Sequence, residues 1–281
     1  MDQPSGESTL YSGEKLVSDD SYLRKLPVAL PLKERMRFDA IVTSADIINQ
    51  AFNALRQLSV DAGIDLDKFT NSARAYALSQ CWTLVDQIHA ARQLLLPPRG
   101  MDGGTLTQAF LDASSPATKL RNDMDHLADK LDNLSKRKGL RLPMFGCLSY
   151  YYSAEPGPDE GYTVTIMSGA LHGDDLMPSV NPFNKHFTLP TGLFTFWAFD
   201  HELEFGRAIG ALRDWIRGVE SKLEGDIRMQ LAKQGGSEEE IEAVMATLGA
   251  GLAFVVHFEL IDDDDGGQGE DSYRLDTPDS V

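Results

Sequence analysis

The feature that most constrains this chain is a change in hydrophobic period near residue 140. Before it, apolar residues recur every three or four positions. Phe38, Ile41, Ala45, Ile48, Phe52 and Leu55 form one stripe, and Leu78, Cys81, Trp82, Val85, Ile88 and Leu95 form another. Thr70, Asn71 and Ser72 offer caps for the second helix, and Pro97-Pro98 stops it. Ser115-Pro116 opens a further helix with Leu120, Met124, Leu127, Leu131 and Leu134, ending near Gly139. A short segment around Leu106 and Phe110 also reads as helical. Past residue 140 the period falls to two, over 144–153, 162–167, 186–189 and 194–199, in runs rich in aromatic and β-branched residues. The first two runs predict an antiparallel hairpin. After Asp200, read as a cap, Phe205, Ile209, Leu212, Ile216, Val219, Leu223 and Ile227 mark a helix of some eight turns to Gln234. Such a stripe is buried only by lying along the earlier helices. Gly206 and Gly210 suit a close approach to a neighbour. A short helix over 237–248 and a strand over 254–260 complete the pattern. The fold class is therefore α+β: a four- or five-helix bundle with a small antiparallel β-sheet.

Five segments follow from this pattern: a flexible arm at 1–33, a bundle at 34–140, a β-rich insertion at 141–200, the returning helix with its short helix and last strand at 201–261, and a disordered acidic tail at 262–281. The net charge of −17 is concentrated at the ends, with −7 in residues 262–281 and −4 in residues 1–20. The remaining −6 argues against a broad basic surface for coating duplex nucleic acid. No apolar run spans a bilayer, and no apolar core near the start reads as a secretory signal, so no membrane association is expected. Two cysteines, Cys81 and Cys147, fit a reducing cytoplasm.

Most chemical motifs are missing. There is no phosphate-binding G-x-x-x-x-G-K-[ST] loop and no G-x-S-x-G elbow. His201-Glu202-Leu203-Glu204-Phe205 lacks the second histidine that zinc needs on one helical face, and its carboxylates read as dipole partners of the helix they open. His89 reads as a hydrogen-bonded core histidine and Cys81 as structural; Cys147 lacks a partner nearby in sequence, and neither cysteine is assigned a nucleophile's role. No metal and no cofactor is implied.

One segment carries more: Leu120-Arg121-Asn122-Asp123-Met124-Asp125-His126. It resembles the R-x4–6-H signature of the HEPN superfamily, in the form where a polar residue follows the arginine. The resemblance covers about residues 34–137 and implies a helical bundle that dimerises to bring two motifs together. Many members are metal-independent endoribonucleases of toxin or defence type, whereas others are non-catalytic interaction modules. On this reading Arg121 and His126 are catalytic and RNA is the substrate. Arg121 holds the phosphoryl oxygens, and His126, near-neutral in its ordinary pKa, moves the proton. Asn122 orients the phosphate or the arginine, and Lys119, Lys136, Arg137 and Lys138 bind phosphates. At 100° per residue Arg121 and His126 stand about 140° apart, so a second helix or subunit must complete the site. The competing reading is a surface pair between Arg121 and Asp125, with Asp123 and Asp129 repelling a polyanion. In the sheet, Tyr150, Tyr151, Tyr152, Tyr162, Phe194, Phe196 and Trp197 either stack RNA bases or pack on the bundle, packing being favoured. A protein partner on the sheet is the alternative use of that face.

Overall fold

A computed structural model describes residues 13–26, 30–97, 104–130, 145–152, 162–167, 194–199, 201–233 and 235–247. The chain divides into two units, Met1–Ala250 and Gly251–Val281, and every described residue lies in the first. The strands expected over 186–189 and 254–260, the cap at Asp200 and the acidic tail fall outside the described residues.

Helix α1 (Leu32–Ala62) and helix α2 (Asn71–Leu95) form the central pair, joined through Gly63 and a short 3-10 turn at Leu66–Lys68. Thr70 caps α2, its hydroxyl accepting from the Ala73 N–H at 3.2 Å. The predicted stripes are the buried ones: Ile41, Ala45, Ile48, Phe52 and Leu55 on α1, Cys81, Val85 and Ile88 on α2. Helix α3 (Gly104–Ala113) follows, then α4 (Ser115–Asp125), with proline in its first turn as its sequence requires.

Helix α4 is interrupted within its apolar period. It ends at Asp125, and His126 leaves helical geometry (φ −106°, ψ 31°) before residues 127–130 resume it. Residues 122, 123, 125 and 129 are Asn or Asp, whose side chains compete for backbone hydrogen bonds and weaken a helix interior.

Four strands form one antiparallel sheet in the order β2-β1-β3-β4: β1 (Cys147–Tyr152), β2 (Tyr162–Met167), β3 (Phe194–Ala198) and β4 (His201–Glu204). The predicted β1–β2 hairpin is present, pairing Leu148 with Ile166 and Tyr150 with Val164. One correction concerns 201–204. These residues pair with β3, Leu203 opposite Phe196, instead of opening the long helix. Leu203 is fully buried between partly exposed neighbours, so a two-residue alternation governs this stretch and Glu202 and Glu204 are strand residues.

The row Ile166–Leu148–Phe196–Leu203 is buried across all four strands. Phe194 meets Phe52 of α1 edge-on at 5.5 Å, and Phe196 meets Trp82 of α2 at 5.2 Å. Tyr150 donates its hydroxyl to the Gly63 carbonyl at 2.7 Å. These aromatics are therefore core, and Tyr162, 58% exposed, is an open sheet aromatic. The turn before β1 requires glycine: Gly146 has φ +88°, and a Cβ there would lie 2.5 Å from the Phe196 ring.

Helix α5 (Phe205–Lys233) buries Phe205, Ile209, Leu212 and Ile216, and helix α6 (Glu238–Thr247) follows. Gly206 and Gly210 are buried. The tight approach on α5 comes lower down, at Gly218, where a Cβ would sit 2.6 Å from Leu106 of α3. Nearby, Trp215 donates its ring N–H to the Thr107 hydroxyl at 3.2 Å.

The arm read as flexible over 1–33 is anchored through residues 13–26. Leu16, Val17 and Leu23 are core residues. Arg24 forks onto Asp46 of α1 at 2.6 and 2.8 Å and donates to the Val17 and Ser18 carbonyls. Ser21 donates to Glu220 of α5. This strap was hidden in a polar stretch because its apolar anchors, Leu16, Val17, Leu23 and Leu26, are few and follow no regular period.

Candidate functional site

The motif residues sit on the last turn of α4 and on its terminus. Leu120 is fully buried and fixes the helix against the core, so Arg121, Asn122, Asp125 and His126 fall at its edge or in solvent. Lys119 and Asn122 are exposed. Lys136, Arg137 and Lys138 lie outside the described residues.

Arg121 is 36% exposed and held by two carboxylates. Its Nε lies 2.9 Å from Asp86 of α2, and its Nη1 donates to Asp125 one turn on. The expected surface pair with Asp125 is thus present, together with a contact across helices that sequence spacing did not reveal. His126 is 71% exposed, its Nδ1 4.0 Å from Asp129. Among the described residues no hydrogen bond or ion pair joins Arg121 to His126.

Asp123, 14% exposed, accepts from Lys130 Nζ at 2.8 Å and stands 3.4 Å from His201 Nε2 at the start of β4. This contact joins the sheet to the helix end just where α4 breaks.

Behind the motif runs a polar seam between α2 and α4. Asp86, His89 and Arg92 are three residues apart on α2 and share one face. Asp86 meets Arg121, His89 Nδ1 lies 3.1 Å from the Thr118 hydroxyl, and Arg92 reaches the Ser114 hydroxyl at 3.2 Å and the Leu111 carbonyl. The partners descend along α4 as the residues ascend along α2, the ladder of an antiparallel helix pair. His89 is therefore a hydrogen-bonded interhelical histidine, half-buried at the rim of the core. Burial, followed by the nearby Arg121 guanidinium, holds its pKa below the ordinary 6.5. Asp86 and Asp125 pull weakly the other way. The seam's sequence signal was the three-residue recurrence of Asp86, His89 and Arg92 beside the apolar stripe of α2.

Elsewhere the chemistry is quiet. Cys81 and Cys147 are buried free thiols; burial raises both, Cys147 to about 12, which leaves no thiolate at neutral pH. Among the described residues no three His, Cys, Asp or Glu side chains gather where a metal could sit, and no helix is long and apolar enough to cross a membrane. A groove of about 440 Å³ at the α1–α2 corner, floored by Leu58, Ala62 and Phe69, includes none of the motif residues. No protein-family model, curated protein or solved structure matches the chain.

Proposed function

We propose that the chain is a HEPN-like protein of the cytoplasm that acts on RNA as a metal-independent endoribonuclease of toxin or defence type, with its cleft completed in a homodimer. The observation that carries this reading is the fixing of Arg121 by Asp86 at a helix end where Asn122 and His126 also face solvent. A guanidinium oriented from a neighbouring helix is pre-organised for phosphoryl oxygens. His126, at the terminus of the same helix, moves the proton of the cleavage, and the exposed Lys119 adds a phosphate contact. Phosphate must displace Asp125, a half-exposed partner whose pair contributes about 0.2–1 kcal/mol.

A second reading is a non-catalytic dimeric module using the sheet for a protein partner. It is favoured by the two carboxylates already on Arg121 and by the proximity of Asp129 to His126. One experiment separates the two: 5′-labelled RNA is incubated with purified protein in EDTA. Cleavage by the wild type that is lost in both Arg121→Ala and His126→Ala supports the nuclease. RNA left whole by a folded, dimeric wild type supports the module.

A further inference from the structure

Cleavage of a ribose–phosphate link without metal requires two proton movements. One group takes the proton of the 2′-hydroxyl as that oxygen attacks phosphorus. Another gives a proton to the 5′ oxygen as the P–O5′ bond breaks, leaving a 2′,3′-cyclic phosphate. The motif supplies a single imidazole per subunit. We infer that His89, set by Thr118 in the seam between α2 and α4, is the base that takes the 2′-hydroxyl proton, with His126 donating to the leaving oxygen. The inference rests on the ribonuclease reading above.

The geometry is that of an oriented base. His89 Nδ1 is 3.1 Å from the Thr118 hydroxyl, which fixes the ring, and Nε2 has no hydrogen-bond partner among the described residues. Thr118 and Arg121 are three residues apart on α4, as Asp86 and His89 are on α2, so the imidazole and the phosphate-holding guanidinium occupy adjacent rungs of one ladder. The charged groups around the ring are Asp86 and Arg92 on its own helix and Arg121 and Asp125 on the facing one. The cations lower its proton affinity and the carboxylates restore part of it, and burial keeps the ring neutral at pH 7, the state a base must hold. His126 stands exposed at the end of α4, its Nδ1 4.0 Å from Asp129.

The test uses full-length protein, a 5′-labelled 20-nucleotide RNA and an all-DNA counterpart, in EDTA, from pH 5 to 8. His89→Gln is expected to lower kcat at least 100-fold while leaving RNA affinity within three-fold and the melting temperature near wild type. Thr118→Val, which keeps volume and removes the orienting hydroxyl, is expected to lower kcat about ten-fold at unchanged KM and to move the acid limb of the pH profile. Wild-type cleavage persisting within five-fold in His89→Gln, yet lost in His126→Ala, overturns the role of His89 and leaves the nuclease standing. RNA left intact by the wild type overturns both. If His89→Gln proves unfolded, Thr118→Val decides: an unmoved acid limb overturns the inference.

Discussion

Replacing Gly146 by alanine tests how the sheet is seated on the helices. The added Cβ would lie 2.5 and 2.7 Å from two Phe196 ring carbons and 2.9 Å from the Trp197 carbonyl oxygen. Phe196 is fully buried against Trp82 and Phe205, so its ring has nowhere to retreat. Overpacking of this kind costs about 1–3 kcal/mol. The left-handed backbone, φ +88°, adds about 1–2 kcal/mol for any residue with a Cβ. The sum, about 3 kcal/mol, lowers the melting temperature by roughly 6–12 °C in a domain of this size. Two companions separate the contributions. Gly104→Ala shares the positive φ (+76°) and meets nothing within 4 Å, so only the backbone cost of about 1–2 kcal/mol remains. Gly225→Ala, inside α5 with nothing within 4 Å, gains up to about 1 kcal/mol from helix propensity. Thermal melts followed by circular dichroism give all three. A Gly146→Ala melt within 2 °C of Gly104→Ala would falsify the steric argument.

Four further outcomes follow from the geometry. Because the folded-state pKa of His89 lies below its ordinary 6.5, the unfolded chain takes up that proton first as pH falls. Stability is therefore lost below about pH 6.5, and urea midpoints between pH 7.5 and 5 should fall more steeply for the wild type than for His89→Gln; parallel curves would count against it. On the proposed ribonuclease reading, Asp125→Asn, which frees one edge of Arg121, should raise RNA cleavage up to about five-fold, and a decrease in initial rate would contradict the displacement step. Phe194→Ala removes a ring packed on Phe52 and should cost about 3–5 kcal/mol in denaturant unfolding. Arg24→Ala breaks the fork to Asp46 and two carbonyl contacts, about 1–3 kcal/mol, so hydrogen exchange should quicken over residues 13–26 while α2 stays protected.

The elements whose burial is one-sided and regular were legible from residue order. The stripes of α1, α2 and α5, the Thr70 cap and the β1–β2 hairpin all follow from local periodicity, and their positions agree with the structure. Where the reading failed, a non-local partner decided. His201–Glu204 has the composition of a helix start, yet pairing with β3 imposes a strand. Residues 13–26 look like solvent-facing chain, yet Leu16, Val17 and Leu23 find apolar seats on distant helices. In α4 the apolar period continues past residue 126, and the helix is broken only at His126 before 127–130 resume it, with Leu127 packed on the core. At the site, the Arg121–Asp125 pair was visible as a four-residue spacing. The bonds from Asp86, His89 and Arg92 to α4 were not, because they depend on which helix lies beside which.

The strap over residues 13–26 carries a consequence for how the protein is made. Its Ser21 is clasped by Glu220, 199 positions later in the chain. At about 5–20 residues per second, a ribosome delivers that clasp some 10–40 seconds after the strap itself has been synthesised. Through that interval Leu23, in the turn at Tyr22–Arg24 that packs on α5, lacks part of its cover and stays an apolar handle on the nascent polypeptide. The arrival of α5 is what closes the strap against its second helix.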